Sequence, residues 1–117
     1  MHRDLKLENI MVDGDGYIKL IDFGLSKKLR PGQLAKTVCG TVAYMAPEIQ
    51  RAEWYGTAAD WWSLGIVLFE MLTGTTQITR NRVEFPPLSE VLRSPDLDDL
   101  IGKLLATDPQ VRLCHID

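Results

Sequence analysis

Two short apolar runs near the start of the chain, NIMV at residues 9–12 and YIKLI at residues 17–21, are rich in isoleucine and valine. Such runs predict short β-strands. The Asp-Gly-Asp-Gly sequence at residues 13–16 favours a tight turn between them. The same four residues could begin a calcium-binding loop, but residues 17–19 do not supply the further ligands that an EF-hand requires. The pattern therefore predicts a β-hairpin over residues 9–21.

Residues 25–47 follow no clean helical or strand period. Polar side chains are scattered through this stretch, and Pro31-Gly32, Gly40 and Pro47 interrupt it. A loop of this length is uncommon in a compact domain and usually has a function. We therefore expect an irregular, functional segment here.

Residues 58–73 carry apolar side chains at helical spacing, and the other faces of the predicted helix are apolar too. The spaced positions are Ala59, Trp62, Ile66, Phe69 and Leu72. A helix that is hydrophobic nearly all round is a buried helix. Thr57 is a candidate N-cap and Gly74 a candidate C-terminal stop.

A second helix is predicted to follow a polar, proline-containing loop over residues 75–91. It is amphipathic, ends before Pro109, and has its apolar positions at Leu97, Leu100, Ile101, Leu104 and Leu105. Strands thus come first and helices follow, without βαβ alternation. The expected fold class is α+β, mainly helical with a small β-hairpin.

Composition excludes some classes of function. The 117 residues fit one domain at most, and 13 basic against 16 acidic side chains give a net charge of −3, so no excess positive charge attracts nucleic acid or an anionic membrane. Cys39 and Cys114 indicate two free thiols in a reducing compartment rather than a zinc site or a disulfide framework. No signal peptide is visible, and the most apolar run, Leu64–Leu72, is too short to span a membrane. We expect a cytoplasmic protein, with the nucleus left open.

Three short motifs occur in a fixed order along the chain. His2-Arg3-Asp4 is followed by Asn9, then by Asp22-Phe23-Gly24 after the predicted hairpin, and then by Ala46-Pro47-Glu48. Each motif alone is a weak signal. Their joint order resembles the protein-kinase signature of catalytic loop, DFG motif and APE motif, and the resemblance runs from His2 to Arg112.

The resemblance implies phosphoryl transfer from ATP with Mg²⁺. It makes Asp4 the catalytic base that orients the substrate hydroxyl, and Asn9 and Asp22 the magnesium ligands. Lys6 would contact the transferred phosphate, and Thr41, in GTVAYMAPE, would bond Asp4 and Lys6. Both residues are typical of serine/threonine kinases rather than tyrosine kinases. Met11 matches the residue that lies under the adenine.

The sequences KTVCGT and DWWSLG are similar to those of the AGC group of kinases. By that match Thr37 is the activation-loop site that an upstream kinase phosphorylates, with Arg3 and Lys27 as the basic partners of its phosphate. Glu8 and Glu70 match acidic positions that bind an arginine upstream of the target hydroxyl in protein substrates. The alternative for both glutamates is an ordinary surface role.

Other matched residues have structural roles in the family. Glu48 and Arg112 resemble a buried ion pair, and an unpaired partner there would be costly. Asp60 resembles the helix residue that holds the catalytic-loop backbone, although an acid in a first helical turn is more often a simple dipole partner. His2 and Phe23 match packing residues of the regulatory stack. For Phe23 and Met11, plain core packing is a sufficient account.

The sequence also departs from the kinase pattern. It has no G-x-G-x-x-G loop and no lysine of the V-A-I-K type, and Thr75-Thr76 follows Gly74 where the family usually has Pro-Phe. We therefore expect a partial kinase domain over residues 1–117 without the N-lobe. Its parts are the catalytic loop at 2–9, the DFG motif and activation loop at 22–48, the buried helix at 58–73, and the helix and arginine motif at 97–112.

The expected function is that of a serine/threonine kinase fragment with protein substrates. Because the phosphate-covering elements are not in its sequence, the chain alone is expected to be inactive. Two alternatives stay open. The chain could be a binding or decoy module for kinase partners, or the product of a broken gene.

Overall fold

The structure is a computed structural model that describes residues 1–76 and 94–113. The regular elements are two strands, β1 (Ile10–Val12) and β2 (Ile18–Leu20), and three helices. The helices are α1 (Pro47–Gln50), α2 (Ala58–Thr73) and α3 (Pro95–Leu104). Single 3₁₀ turns lie at Leu7–Asn9 and Val42–Tyr44. In these described parts of the chain, no helix is long and apolar enough to cross a lipid bilayer.

The predicted β-hairpin is present, and its register pairs Ile10 with Leu20 and Val12 with Ile18 in antiparallel fashion. Asp13 closes the turn. Its carboxylate accepts hydrogen bonds from the backbone N–H groups of Asp15 and Tyr17, both at 2.9 Å, and lies 3.1 Å from the Lys19 ammonium. The Tyr17 N–H bond, with Lys19 second, lowers the pKa of Asp13. The Asp13 carboxylate is thus engaged in holding a turn.

The hairpin does not form core. Met11 is 52% exposed on β1, and Phe23, just beyond β2, is 58% exposed. Core packing is therefore the wrong account of Met11 and Phe23, because a two-stranded sheet buries little of its own surface. Both side chains lie on a surface that the described residues leave open.

Helix α2 has the bounds that its apolar periodicity and the flanking Gly74 predict. Gly74 adopts a left-handed φ of +75° and its N–H donates to the Glu70 carbonyl at 2.8 Å, as in a helix C-terminal stop. Thr57 occupies the N-cap position, but its side chain makes no capping bond. The expectation of burial on all sides was wrong, since Trp61 is 38% and Met71 66% exposed.

Helix α3 packs across α2 at Gly65. A methyl group added there would lie 2.7 Å from Leu105 Cδ2 and 3.0 Å from Leu104 Cβ, so only a glycine permits the approach. Most of the predicted apolar face of α3 packs, with Ile101 and Leu104 fully buried, but Leu100 was wrongly assigned to it and is 39% exposed. The helix ends at Leu104, earlier than the sequence pattern suggested.

The activation loop is largely irregular, as predicted, but two local elements anchor it. Ala35 and Tyr55 form an isolated antiparallel bridge with two backbone hydrogen bonds of 2.8 Å. Near its end, Pro47–Gln50 forms α1. These anchors bury one core cluster, composed of Ala35, Met45, Ala46, Ile49, Tyr55 and Ala59. A second cluster lies between α2 and α3, and Trp62 packs against both.

Candidate active site

Asp4, Lys6 and Thr41 form one hydrogen-bonded group. The Thr41 hydroxyl donates to Asp4 Oδ1 at 2.8 Å and accepts from Lys6 Nζ at 2.9 Å, while Lys6 Nζ lies 3.7 Å from Asp4 Oδ2. The two side chains of this ion pair are 13% exposed for Asp4 and 24% for Lys6. The activation loop and the catalytic loop therefore meet at a carboxylate that is oriented yet accessible.

Asp60, in the first turn of α2, holds the backbone of the catalytic loop. Its two carboxylate oxygens accept the N–H groups of His2 and Arg3 at 2.7 and 2.9 Å. Arg3 has a φ of +71°, a left-handed conformation that side chains disfavour. The charge-assisted bonds from Asp60 offset that strain and set the path of the chain into Asp4.

The His2 ring joins the catalytic loop to the end of the hairpin. The Asp4 N–H lies 3.2 Å from Nδ1, so Nδ1 must accept, and Nε2 then donates to the Ile21 carbonyl at 2.9 Å. This pattern requires the tautomer that carries its proton on Nε2. Phe23 meets the same ring edge-on, with centroids 5.0 Å apart.

Asn9 and Asp22 lie at the open end of the hairpin, where the Ile21 N–H donates to the Asn9 carbonyl at 2.9 Å. The buried Asn9 amide donates through Nδ2 to the Asp4 carbonyl at 2.9 Å, which leaves its oxygen as the atom for a metal. Asp22 has a left-handed φ of +59°. An amide oxygen and a carboxylate are hard ligands that fit Mg²⁺ shared with phosphates and water.

Within residues 1–76 and 94–113, no three His, Cys, Asp or Glu side chains cluster as a metal site. Magnesium that is bound to a phosphate needs only one or two protein ligands, so Asn9 and Asp22 together could supply them.

Thr37 is exposed on the activation loop, and a buried phenol connects it to Arg3. The Tyr55 hydroxyl donates to the Thr37 carbonyl and accepts from Arg3 Nη1 at 3.4 Å. Burial raises the pKa of Tyr55. The backbone of Lys27 pairs with Met1 through two bonds of 2.9 Å, next to the catalytic loop. Arg3 is thus linked to the Thr37 backbone through Tyr55, and Lys27 pairs with Met1 at the start of the catalytic loop.

The carboxylates of Glu8 and Glu70 both contribute to a raised pKa of Tyr44. The Tyr44 hydroxyl donates to Glu70 Oε2. Burial, followed by this bond and the charges of Glu70 and Glu8, raises the pKa of Tyr44 well above its usual range. Two carboxylates from distant parts of the chain therefore create one acidic region around a phenol.

Glu48 and Arg112 form a bidentate ion pair. The two hydrogen bonds measure 2.7 and 2.9 Å, and both residues are almost fully buried. Arg112 also donates to the Ala58 carbonyl at 3.0 Å and lies over the Trp62 ring, 5.2 Å from its centroid. The pair joins α1 to the segment after α3.

Sequence reasoning did not single out Tyr44, Tyr55 or Gly40. Both tyrosines join site residues through their hydroxyls, and neither belongs to a periodic pattern. Gly40 has a φ of +107°, and a Cβ on it would lie 2.5 Å from the Arg3 carbonyl oxygen. The glycine beside Thr41 in GTVAYMAPE was the available signal for this close approach.

Comparisons with known proteins agree with this geometry. The family profile described as "Protein kinase domain" matches residues 1–116. The human protein "Ribosomal protein S6 kinase-related protein" is 42% identical over 99% of this chain, which covers 30% of that relative. "Protein kinase 3" of Dictyostelium discoideum is 45% identical over 97% of the chain, and human "RAC-beta serine/threonine-protein kinase" is 43% identical over 97%.

The chain spans 14% of the Dictyostelium relative and 25% of the human RAC-beta kinase, so it corresponds to one part of longer proteins. These matches cover nearly the whole chain and confirm the family that the ordered motifs indicated. The chain belongs to the protein kinase family and is of the AGC type.

Proposed function

We propose that this chain supplies the catalytic and activation loops of a serine/threonine protein kinase, which transfers the γ-phosphate of MgATP to hydroxyls of protein substrates. The observation that carries the proposal is the hydrogen-bonded group of Asp4, Thr41 and Lys6, with bonds of 2.8 and 2.9 Å. A carboxylate, a hydroxyl and an ammonium in this order can orient an attacking hydroxyl beside a site for phosphate.

Asp4 accepts the proton of the substrate hydroxyl and aims its oxygen. The Thr41 hydroxyl, which donates to Oδ1, fixes the carboxylate plane, and the Lys6 ammonium supplies positive charge beside it. Asn9 and Asp22 would hold Mg²⁺, which neutralises phosphate charge when bound. Protein side chains thus provide position and charge, the two requirements of phosphoryl transfer.

The acidic region of Glu8 and Glu70 supports a preference for substrates with a basic residue upstream of the target hydroxyl. Two carboxylates near one phenol provide acceptors for an arginine. We further propose that an upstream kinase phosphorylates Thr37, whose exposure and link to Arg3 through Tyr55 support that role. Phosphorylation of this kind fits an intracellular protein.

The test is a chimeric kinase. This chain has no glycine-rich loop, which is part of the protein-kinase signature. It would therefore replace the matching segment of human RAC-beta serine/threonine-protein kinase, so that the rest of that kinase completes the domain. We expect the chimera to phosphorylate a serine peptide and not its tyrosine analogue. Asp4→Asn removes the proton acceptor and should lower kcat by about 10²- to 10⁴-fold.

Asp15→Asn is the matched control, because Asp15 is an exposed residue in the turn of the β-hairpin. It should leave kcat within about twofold of the chimera, since its carboxylate is remote from the reacting groups. An equal rate in the Asp4→Asn chimera, or a folded chimera without transfer while the parent kinase is active, would contradict the proposal.

A further inference from the structure

The activation loop carries one sign of charge. Residues 23–47 contain Lys27, Lys28, Arg30 and Lys36 but no aspartate or glutamate. The other residues hold nine of the 13 basic side chains and all 16 acidic ones. A chain of net charge −3 therefore presents a positive segment within an acidic whole.

One of these cations, Arg30, begins a tight turn over residues 30–33, and Lys28 lies two residues before it. Pro31 and Gly32 occupy the central positions, Gly32 has a φ of +76°, and the Gln33 N–H donates to the Arg30 carbonyl at 2.9 Å, as in a type II turn. The Gln33 side-chain oxygen also accepts the Arg30 N–H at 3.1 Å. One backbone and one side-chain hydrogen bond thus join the two ends of the turn, so the turn is already formed in the chain without a ligand.

The turn lines an open concavity of about 740 Å³, together with Lys28. Lys28 and Arg30 are exposed, and in the described part of the chain no carboxylate lies within ion-pair distance of either. A guanidinium and an ammonium that share one concavity are suited to binding carboxylates.

We propose that the basic turn, residues 28–33, binds a carboxylate-rich segment of a protein partner. Charge complementarity selects an acidic ligand, and the concave shape fits an extended peptide rather than a flat membrane. The site does not depend on phosphoryl transfer.

The basic turn lies close to Thr37 along the chain. Gln33 is four residues before Thr37, so the two are at most about 14 Å apart. A bound acidic segment would therefore cover the approach to Thr37. The partner that fits this position is a protein that adds phosphate to the Thr37 hydroxyl, removes it, or shields the hydroxyl.

The experiment measures binding of a fluorescein-labelled, glutamate-rich peptide to the 117-residue chain by anisotropy. We expect Lys28→Glu/Arg30→Glu to weaken binding by about tenfold or more, since it replaces attraction by repulsion. Affinity for the unaltered chain should also fall as salt rises from about 50 to about 200 mM.

Lys19→Glu/Lys103→Glu is the matched control, because it makes the same change in net charge at two exposed cations outside the turn. It should change affinity by about twofold or less. Lys28→Gln/Arg30→Gln, which adds no repulsion, should also lose binding while keeping the circular dichroism of the unaltered chain.

Recovery of binding between the charge-reversed chain and a lysine-rich peptide would support a direct contact. The proposal is overturned if Lys19→Glu/Lys103→Glu loses as much affinity as Lys28→Glu/Arg30→Glu. It is also overturned if the unaltered chain does not bind the acidic peptide, or if it prefers phosphatidylserine vesicles to that peptide.

Discussion

At the scale of single residues, Tyr44 is a phenol kept protonated by its surroundings. It is buried, its hydroxyl donates to Glu70, and its carbonyl accepts the Ser63 hydroxyl at 2.7 Å. Burial is the largest cause of its raised pKa, because it disfavours the charged phenolate, and the nearby carboxylates add to it. The residue therefore couples stability to alkaline pH.

We predict that stability falls above pH 10 partly through Tyr44. In the unfolded chain Tyr44 has its ordinary pKa of 10.0 and loses its proton there, whereas the folded chain keeps it. The unfolded state then binds fewer protons, so the free energy of unfolding decreases as pH rises, by up to about 1.4 kcal/mol per unit.

Urea unfolding at about pH 9 and about pH 11 checks this prediction. Tyr44→Phe should reduce the loss of stability between the two pH values, whatever its effect at pH 9. Tyr17→Phe, at a side chain that is 71% exposed, is the control. The same loss in the unaltered chain and in Tyr44→Phe would show that this phenol is not responsible.

At the scale of elements, the contact between α2 and α3 depends on Gly65. Glycine in a helix interior usually lowers stability, by about 1 kcal/mol relative to alanine. Here the missing side chain is what lets Leu104 and Leu105 reach α2. The close approach buries Ile66 and Ile101 in one cluster.

Two alanine substitutions separate helix propensity from packing. We predict that Gly65→Ala destabilises the fold by about 1–3 kcal/mol, because its Cβ would overlap Leu105 Cδ2 at 2.7 Å. Gly102→Ala in α3 meets no atom within 4 Å and should stabilise by up to about 1 kcal/mol. Thermal unfolding of both variants shows whether each substitution raises or lowers stability. A rise in stability in both variants would contradict the packing argument.

The elements differ in how far sequence predicts them. Helix α2 could be predicted to the residue, because a long apolar period ends at a glycine that takes a left-handed φ. Helix α1 has only four residues, too few to show a period. The bridge of Ala35 and Tyr55 pairs single residues, so no alternation marks it. Long-range packing, rather than local preference, forms both of the elements that were missed.

At the scale of the whole molecule, Glu48 and Arg112 connect parts of the chain that are 64 positions apart. Arg112 reaches the carbonyls of Ala106 and Ala58 as well, so its guanidinium is saturated by one carboxylate and the ends of two helical regions. A buried charge with this many partners is tolerated only while the partners remain.

We predict that Arg112→Met lowers the free energy of unfolding by about 3–5 kcal/mol, because Glu48 would be left charged and buried. Glu48→Leu/Arg112→Met should cost much less than either single change, since it removes both charges together. Arg51→Met, which breaks an exposed pair with Glu53, is the control and should have a small effect. Denaturant titration of Arg112→Met, Glu48→Leu, the double variant and Arg51→Met gives the four values. If the double variant lost as much free energy of unfolding as the two single variants together, the buried-charge argument would be contradicted.

The candidate site was only partly predictable. Motif order predicted roles for Asp4, Asn9 and Asp22, because the protein-kinase signature contains those residue types in that order. It could not identify Tyr44 or Tyr55, whose roles depend on which surfaces meet after folding. Nor does spacing reveal that Arg3 and Asp22 take left-handed backbone conformations, which the tertiary contacts impose.

The bonds from Asp60 to His2 and Arg3 have a consequence for synthesis of the protein. His2 and Arg3 are added to the growing chain before the carboxylate that holds them, which is encoded 58 and 57 positions later. At about 5–20 residues per second, a ribosome needs several seconds to add that stretch. The loop leaves the ribosome without its holding partner and takes its final path only once the start of α2 has emerged. A nascent chain thus carries the side chains of Asp4, Asn9 and Asp22 well before the loop around Asp4 has its final path.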